Sequence, residues 1–596
     1  MISAAKLGAE HGSHRSCLKT CSQRIFTVLS VLLTAVLISC SSESPDRPHG
    51  FDLEFLLGDL PLPGPASMAG FKIPDDARPP GAGFEGVLKL KPGSGLNSID
   101  VLTDTFSIAG SPEWNITNLP PFDFEFVSDG AVVIPVMQTP QRSAHPYWEI
   151  ILGPGRSWHE QGDGQWSRVS LPFALKEKNQ NCTHNGVMTF AYKADGSISR
   201  VAWQVSSETC LYLKVDLWGV TAASYQPGPI AGAAGIVKAH QKNVLARMPV
   251  KSIEELTLDH PQVDLSAIEP PRAEDVSVYG FVANGTHYRS ECRTRHGPYP
   301  FCEVLVLPSY SLAKSIFAGL YYLRLIMEWP EFGSMAVSKL VPECRLPDGR
   351  WDDVTMSNLI NMTTGNYDFL EFGKDEEAAK MQDFFLAESH SEKIAFSCAA
   401  WPRQSEPGAE AVYHTTDDYI LGAAMNAFLR SKAGPAVDVY RDFLYPRLLQ
   451  PLNLSPLLRW TQRTYDEAAQ PFTAYGLVVY PDDLVRIAAS LTLSYSGHHL
   501  FDQAGFEQTL FRDLDGMKRW SGGRGNGYRN GFWGVEASDW LGCDKETWIP
   551  FMSGYGGIVV ALMPNDTIYY YFSDGNIHHF MDAAVESNKI RNYCKE

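Results

Sequence analysis

Two hairpin-like stretches bracket the second half of the chain and constrain its fold more than any other feature. VSVYGFVANGTHYRSECR places alternating apolar runs on either side of Asn284-Gly285. That pair favours a two-residue hairpin because both residues tolerate positive φ. Near the C-terminus, GGIVVALMPNDTIYYYFS repeats the arrangement around Pro564-Asn565-Asp566. Helix-like and strand-like stretches alternate in between. Strands at both ends with helices between them imply a sheet whose first and last strands lie together, covered by helices. Directly after the first hairpin comes PSYSLAKSIFAGLYYLRLIMEW, apolar almost all round, which is the pattern of a buried helix.

Ser311-Leu312-Ala313-Lys314 opens that helix. Residues three apart stack on one helix face, so the spacing sets a hydroxyl beside an amine. A lysine held against apolar walls loses part of its preference for the charged form and can help take the serine proton. The first-turn N–H groups and the positive helix end face the place where an acyl oxyanion forms. The four residues do not suffice alone, because Ser16-Cys17-Leu18-Lys19 repeats the pattern near the N-terminus.

At 596 residues more than one domain is expected. The start reads as a targeting segment: Lys19 and Arg24 precede an apolar run over 25–38, too short to span a bilayer comfortably. It ends in Leu37-Ile38-Ser39-Cys40, which resembles the bacterial lipobox. The expectation is a lipoprotein signal over 1–40 with lipid on Cys40, anchoring the protein in the bacterial cell envelope. Serine after the cysteine resembles lipoproteins of the outer membrane, facing the periplasm. A polar, then Pro/Gly-rich tether follows over 41–65. Residues 66–250 carry short alternating runs with turn signals, including Ala194-Asp195-Gly196, and read as a β-rich, sandwich-like accessory domain. Its Trp158, Trp166, Trp203 and Trp218 read as packing residues. Residues 251–274 read as a linker, and 275–596 as the second domain.

The formal net charge of -18 argues against nucleic acid or an anionic membrane surface as main partner, leaving the lipid as the membrane contact. Of the eleven cysteines, setting aside Cys17, Cys21 and Cys40 leaves eight. An even number in an exported chain suggests disulfides. Close spacing favours Cys182–Cys210 and Cys292–Cys302. No CxxC pair occurs, so neither a metal site nor a cofactor is expected. His498-His499 and His578-His579 read as surface or supporting residues, and Asp417-Asp418 as the acidic first turn of a helix.

Five further segments then fall in register with SYSLAKS. They are WDDVTMSNLINMTTGNYDF, EPGAEAVYHTTDDYILGAAMNAFL, YPRLLQPLNLSP, AYGLVVYPDDLVRIAASL and MSGYGGIVVALMPNDTIYYYFSDG. In this order, 275–596 resembles the serine β-lactamase-related hydrolases, which include class C β-lactamases, DD-peptidases, esterases and 6-aminohexanoate-dimer hydrolases. The TTDDYILG continuation is most similar to the esterase and aminohexanoate branch. The resemblance implies an α/β transpeptidase-like domain with an antiparallel sheet and a helical subdomain. It makes Ser311 the acylated nucleophile, Lys314 its partner and Tyr413 the second acid–base group, titrating as a unit with Lys314. It places the oxyanion hole at the N–H of Ser311 and one N–H of the Gly554-Tyr555-Gly556 strand, with Tyr555 and Gly556 as candidates. Thr415 stands where β-lactamases and peptidases usually carry a substrate-binding asparagine.

In those relatives a Lys-Thr-Gly or His-x-Gly motif precedes the final strand and grips a substrate carboxylate. Here Trp548-Ile549-Pro550 falls in that place, with Lys545 slightly upstream. The expected activity is therefore hydrolysis of a small ester or amide through an acyl-enzyme. A DD-peptidase or β-lactamase is the second enzyme reading, and a non-catalytic envelope-binding lipoprotein the reading from another class.

Overall fold

The computed structural model describes residues 51–58, 67–91, 98–207, 209–492, 500–520 and 526–595. The signal over 1–40, Cys40 and the pair His498-His499 lie outside them.

The first domain is one antiparallel sheet. Its strands are β1 (Gly86–Lys91), β2 (Ser98–Asp104), β3 (Phe122–Asp129), β4 (Val132–Pro135), β5 (Trp148–Leu152), β6 (Gly155–Trp158), β7 (Ser167–Glu177), β8 (Thr183–Tyr192), β9 (Val201–Ser207) and β10 (Val215–Pro227). The hydrogen-bonded path runs β1-β3-β4-β6-β7-β8-β9-β10, and β10 pairs back onto β1, so the sheet closes. The expected all-β domain is thus present as a barrel-like closure, which leaves few free edges. Phe84, Leu88, Phe126, Phe190 and Trp203 fill its interior. Ala194-Asp195-Gly196 forms the β8–β9 turn, with Gly196 at φ 94°. Of the four tryptophans, Trp158, Trp203 and Trp218 are buried and Trp166 is half-buried, as packing residues are.

The second domain holds a nine-stranded sheet in the order β11-β13-β12-β23-β22-β21-β20-β19-β18. Its first members are β11 (Val250–Ser252), β12 (Val276–Ala283) and β13 (Thr286–Arg289). Two short ladders follow, β14 (Arg293–Thr294) with β15 (Gly297–Pro298) and β16 (Leu307–Pro308) with β17 (Val478–Val479). The sheet is completed by β18 (Lys518–Arg519), β19 (Asn526–Arg529), β20 (Phe532–Glu536), β21 (Trp548–Gly554), β22 (Ile558–Leu562) and β23 (Ile568–Ser573). The two hairpins that bracket the domain meet as expected: β12 pairs with β23, Val282 opposite Ile568 and Tyr279 opposite Tyr571. Asn284 (φ 49°) and Gly285 (φ 75°) supply the left-handed turn that joins β12 to β13. The helices Pro481–Ala489 and Met581–Ile590 pack against the sheet, whereas Thr415–Ala433 packs among other helices, including Met356–Ile360 and His390–Ala399.

Two connections are more ordered than their composition suggests. Within the expected tether, Leu53–Leu57 is helical, and Phe51, Phe55 and Leu56 are buried. Phe51 stacks on Trp218 at 5.4 Å, and the Arg200 guanidinium lies over Phe55. Apolar residues at i and i+4 give this short segment a face to bury. The expected linker over 251–274 is built into the second domain. β11 runs parallel to β13, and Ile253, Leu256, Val263 and Ile268 join the core on that side of the sheet.

Every residue of β7 and β8 is buried, although their outer faces belong to a barrel wall. The second domain covers those faces. Ile151, Ala174, Val187, Ala202, Trp218 and Val220 form one core with the segment carrying Phe301, Val304, Leu305 and Leu307. Across the same boundary Arg295 forms a two-pronged ion pair with Asp216 at 2.8 Å. The cysteines pair as Cys182–Cys210, Cys292–Cys302, Cys344–Cys398 and Cys543–Cys594.

Candidate active site

The β16–β17 ladder delivers the chain to Ser309, after which Tyr310 turns in the left-handed region at φ 41° and Ser311 follows half-buried. A non-glycine residue seldom holds that backbone outside functional turns. The helix begins at Leu312, one residue beyond the serine, and runs as a π-helix over Lys314–Gly319 before Leu320–Glu328. The β19–β20 turn presses on this widened stretch. Ser315 Oγ donates to Gly531 O at 2.6 Å, and a Cβ on Gly319 would meet Asn530 O at 2.3 Å. Such π segments recur at functional sites.

Lys314 is 2 % exposed. Its Nζ lies 3.2 Å from Ser311 Oγ, 2.9 Å from Thr415 Oγ1 and 3.2 Å from Ala474 O, and 5.0 Å from the centre of the Tyr413 ring. Thr415 Oγ1 in turn donates to Glu376 Oε1, and Thr415 N donates to Glu376 Oε2 at 3.0 Å. Ala474 O and Thr415 Oγ1 can only accept, so two of the lysine's hydrogens are committed to them. The remaining valence points at Ser311, where an ammonium donates and a neutral amine accepts.

The electrostatics correct one expectation. Burial alone would favour the neutral amine, but the charges of Tyr413, Asp418 and Glu376 outweigh it and raise the Lys314 pKa above the ordinary lysine value. The cavity wall that was expected to be apolar is acidic. Burial pushes the Tyr413 phenol up; the Lys314 charge and the nearby Ser311 hydroxyl oppose this, while Glu376 and Asp418 add to it. Burial likewise pushes up the Asp418 carboxyl, whose oxygens make no hydrogen bond. Next to Tyr413, His414 Nε2 meets Asp375 Oδ2 at 2.9 Å. Burial would lower the His414 pKa, but the bond to Asp375 and the charge of Asp417, whose Oδ2 lies 3.7 Å from Nδ1, lift it to about 9.

Ser311 and Lys314 therefore come together with Tyr413 and Thr415 from two separate parts of the sequence, and Ala474 adds a third. The end of β21 lies against the same turn. A Cβ on Gly554 would fall 3.0 Å from Ser309 O, and the Tyr555 ring lies 5.8 Å from that of Tyr310. Gly556, at φ 92°, faces Ser573 O and Leu211 of the first domain. Tyr555 and Gly556 fall in the β21–β22 turn rather than in a strand as expected, and of the two Tyr555 is the one beside the Tyr310-Ser311 turn. Trp548, Ile549 and Pro550 are buried in β21, and Lys545 lies in the exposed turn before it. An aromatic wall completes the surroundings: Trp533 stacks on Tyr413 at 5.8 Å, and the half-exposed Phe372 lies within 6.2 Å of Tyr413, Trp520 and Trp533.

Glu376 and Asp418 escaped the sequence reading. Asp417 and Asp418 do form the first turn of the helix Thr415–Ala433, as expected, yet both are buried and Asp418 faces Lys314. Glu376 sits in EFGKDEEAAK, a charged run that looks like any solvated loop. Of the histidines, His578 Nε2 lies 3.0 Å from Gly554 O and so supports the site strand, while His579 pairs with Asp582. Cys182, His184 and Cys210 bring ligand-type atoms within 4.8 Å of one another, but the disulfide occupies both sulfurs and leaves one nitrogen donor.

Residues 303–580 match the family model described as Beta-lactamase. Solved structures similar to the chain include one described as a 6-aminohexanoate-dimer hydrolase from Bacillus anthracis, at 15% identity over 58% of this chain and 86% of that one, with a TM-score of 0.40. They also include EstCE1, a hydrolase with promiscuous acyltransferase activity, at 16% identity over 59% and 99% with a TM-score of 0.41. A class C beta-lactamase is similar at 15% identity over 59% and 96%, with a TM-score of 0.37. No curated protein matches the chain.

Proposed function

From the match of residues 303–580 to the family model described as Beta-lactamase, we propose that the chain is a serine hydrolase of the β-lactamase-related kind that cleaves a small ester or amide through an acyl-enzyme on Ser311. The observation that carries this reading is Lys314 Nζ, held between Ser311 Oγ, Thr415 Oγ1 and Ala474 O beneath the Tyr413 ring. Tyr413 and Lys314 act as one proton-holding unit. When the unit has lost one proton it accepts the proton of Ser311 as the oxygen attacks the carbonyl carbon. It then passes that proton to the departing alkoxide or amine as the carbon–heteroatom bond breaks. Water attacks the acyl-enzyme by the same route, and the serine regains its proton. The oxyanion is stabilised by the N–H of Ser311 and that of Tyr555.

The surroundings argue against a carboxylate on the substrate near the scissile bond. Glu376 and Asp418 make the site acidic, and buried Trp548, Ile549 and Pro550 stand where carboxylate-binding relatives carry a cation or hydroxyl. The aromatic wall of Phe372, Trp520 and Trp533 suits an apolar acyl or leaving group. Lipid attachment at Cys40 in a cell envelope belongs to the same proposal; the four disulfides fit an oxidising compartment.

A fluorophosphonate probe and a fluorescent penicillin distinguish the readings. Fluorophosphonate labelling that disappears in Ser311→Ala, without penicillin labelling, is the expected result. Ser311-dependent penicillin labelling moves the substrate to β-lactams and their peptide analogues, and no labelling by either probe removes the enzyme reading. Tyr413→Phe is expected to lower p-nitrophenyl ester turnover about 10²–10⁴-fold. Parental turnover in that variant takes Tyr413 out of the reaction.

A further inference from the structure

Asn181 is a buried side chain of the first domain whose hydrogen bonds all reach into the second. It lies between β7 and β8, next to the Cys182–Cys210 disulfide, and is 1% exposed. Its Oδ1 accepts from Tyr310 N at 2.7 Å and from Gly476 N at 3.0 Å, with Ser309 Oγ 3.1 Å away. Its Nδ2 donates to Leu477 O at 3.1 Å. The two N–H groups demand an acceptor and the carbonyl demands a donor, which fixes the orientation of the amide.

The two main-chain segments it grips are those that set the catalytic pair. Tyr310 holds the left-handed turn immediately before Ser311. Gly476 and Leu477 follow Ala474, whose carbonyl accepts from Lys314 Nζ. One amide therefore fixes the spacing between the strained turn that presents the serine and the carbonyl that holds the lysine. Asn181-Cys182-Thr183 also fits a glycosylation pattern, but a side chain this buried and this fully bonded is engaged inside the folded protein.

We propose that Asn181 is a positioning residue for Ser311 and Lys314, so that the barrel domain completes the active site of the domain it packs against. The proposal rests on the serine-hydrolase reading above. It predicts that the amide acts on the rate of acylation rather than only on the docking of the domains.

Asn185, on β8, supplies the control. It makes an equivalent two-way amide bond across the same boundary, donating to Val306 O at 2.8 Å and accepting from Val306 N at 2.9 Å, and both of these bonds go to Val306 rather than to Tyr310 or the segment over 474–477. The experiment measures the fluorophosphonate labelling rate, ester kcat and KM, and melting temperature for the full chain and for Asn181→Ala, Asn181→Asp and Asn185→Ala. Asn181→Ala is expected to lose about a hundredfold in labelling rate and in kcat, with KM nearly unchanged. Asn185→Ala is expected to melt earlier but to label within about threefold of the parent. Asn181→Asp keeps the shape, and its buried carboxyl regains the donor to Leu477 O when protonated. Its labelling rate relative to the parent should therefore recover as the pH falls, which keeps the test open if Asn181→Ala does not fold. Labelling of Asn181→Ala within threefold of the parent, equal losses in Asn181→Ala and Asn185→Ala, or a pH-independent deficit in Asn181→Asp each overturn the proposal. A parent that shows no Ser311-dependent labelling overturns the serine-hydrolase reading itself, and this proposal with it.

Discussion

Lys314 sits among acidic groups, and under the proposed mechanism this sets the pH at which the site can work. Tyr413, Asp418 and Glu376 together raise its pKa, and burial with the same carboxylates raises that of Tyr413. At neutral pH the pair therefore holds both protons, and the form able to accept one from Ser311 grows as the pH rises. Accordingly, kcat/KM for a neutral ester should increase from neutral into alkaline pH. Glu376→Gln removes a negative charge that favours the protonated pair, so the rising limb should move to lower pH by about one unit. The pH dependence of kcat/KM for the two proteins checks this; an unmoved or alkaline-shifted limb in Glu376→Gln excludes Glu376 from the electrostatics of the pair. The Ser–x–x–Lys spacing was legible because a helical period fixes it. The acid that tunes it was not, because Glu376 meets Thr415 only through folding of the loop between them.

At the level of elements, the start of the helix Thr415–Ala433 is arranged around one buried ion pair. His414 stacks flat on Trp401, 4.5 Å between ring centres, and bonds Asp375. A cation at a helix N-terminus opposes the helix dipole, so the carboxylates of Asp375 and Asp417 are what hold it charged. The folded-state pKa of about 9 lies above the ordinary histidine value of 6.5. The stability this group contributes is therefore complete below about pH 6.5 and is lost as the pH climbs towards 9, a difference of roughly 3 kcal/mol. Urea unfolding at pH 6 and pH 9 should show the parent losing stability across that window and His414→Gln losing less. An equal loss in the variant assigns the pH dependence to other groups. The hairpins at Asn284-Gly285 and Pro564-Asn565-Asp566 needed no such tertiary help to be read, since their turns are specified by residues that accept positive φ. The π-helix over Lys314–Gly319 could not be read, since only the β19–β20 turn pressing on Ser315 and Gly319 reveals it.

Over the whole molecule, the two domains share a core. Barrel residues Ile151, Ala174 and Val187 share one core with Phe301 to Leu307 of the second domain, with Arg295–Asp216 and Lys214–Asp574 closing the margin. An interface of this apolar character gives the domains one unfolding equilibrium rather than two. Hydrogen-exchange protection of the paired β7 and β8 amides, which reports the barrel, and Ser311 labelling, which reports the site, should be lost at the same urea concentration. A barrel that melts well before or after labelling is lost shows that the domains are energetically separate.

The sequence by itself determined the run of short strands in the first domain, though not their closure into a barrel, the sheet whose ends meet, and the order of the family segments that point to Ser311, Lys314 and Tyr413. Each of these is written in local periodicity, turn chemistry or linear spacing. Tertiary structure alone decided that 51–58 docks on the barrel, that 251–274 belongs to the second domain, that Lys314 is ringed by acids, and that Asn181 reaches the nucleophile turn. These depend on contacts between residues far apart in the chain, where burial and charge act through space and no local pattern records the partner.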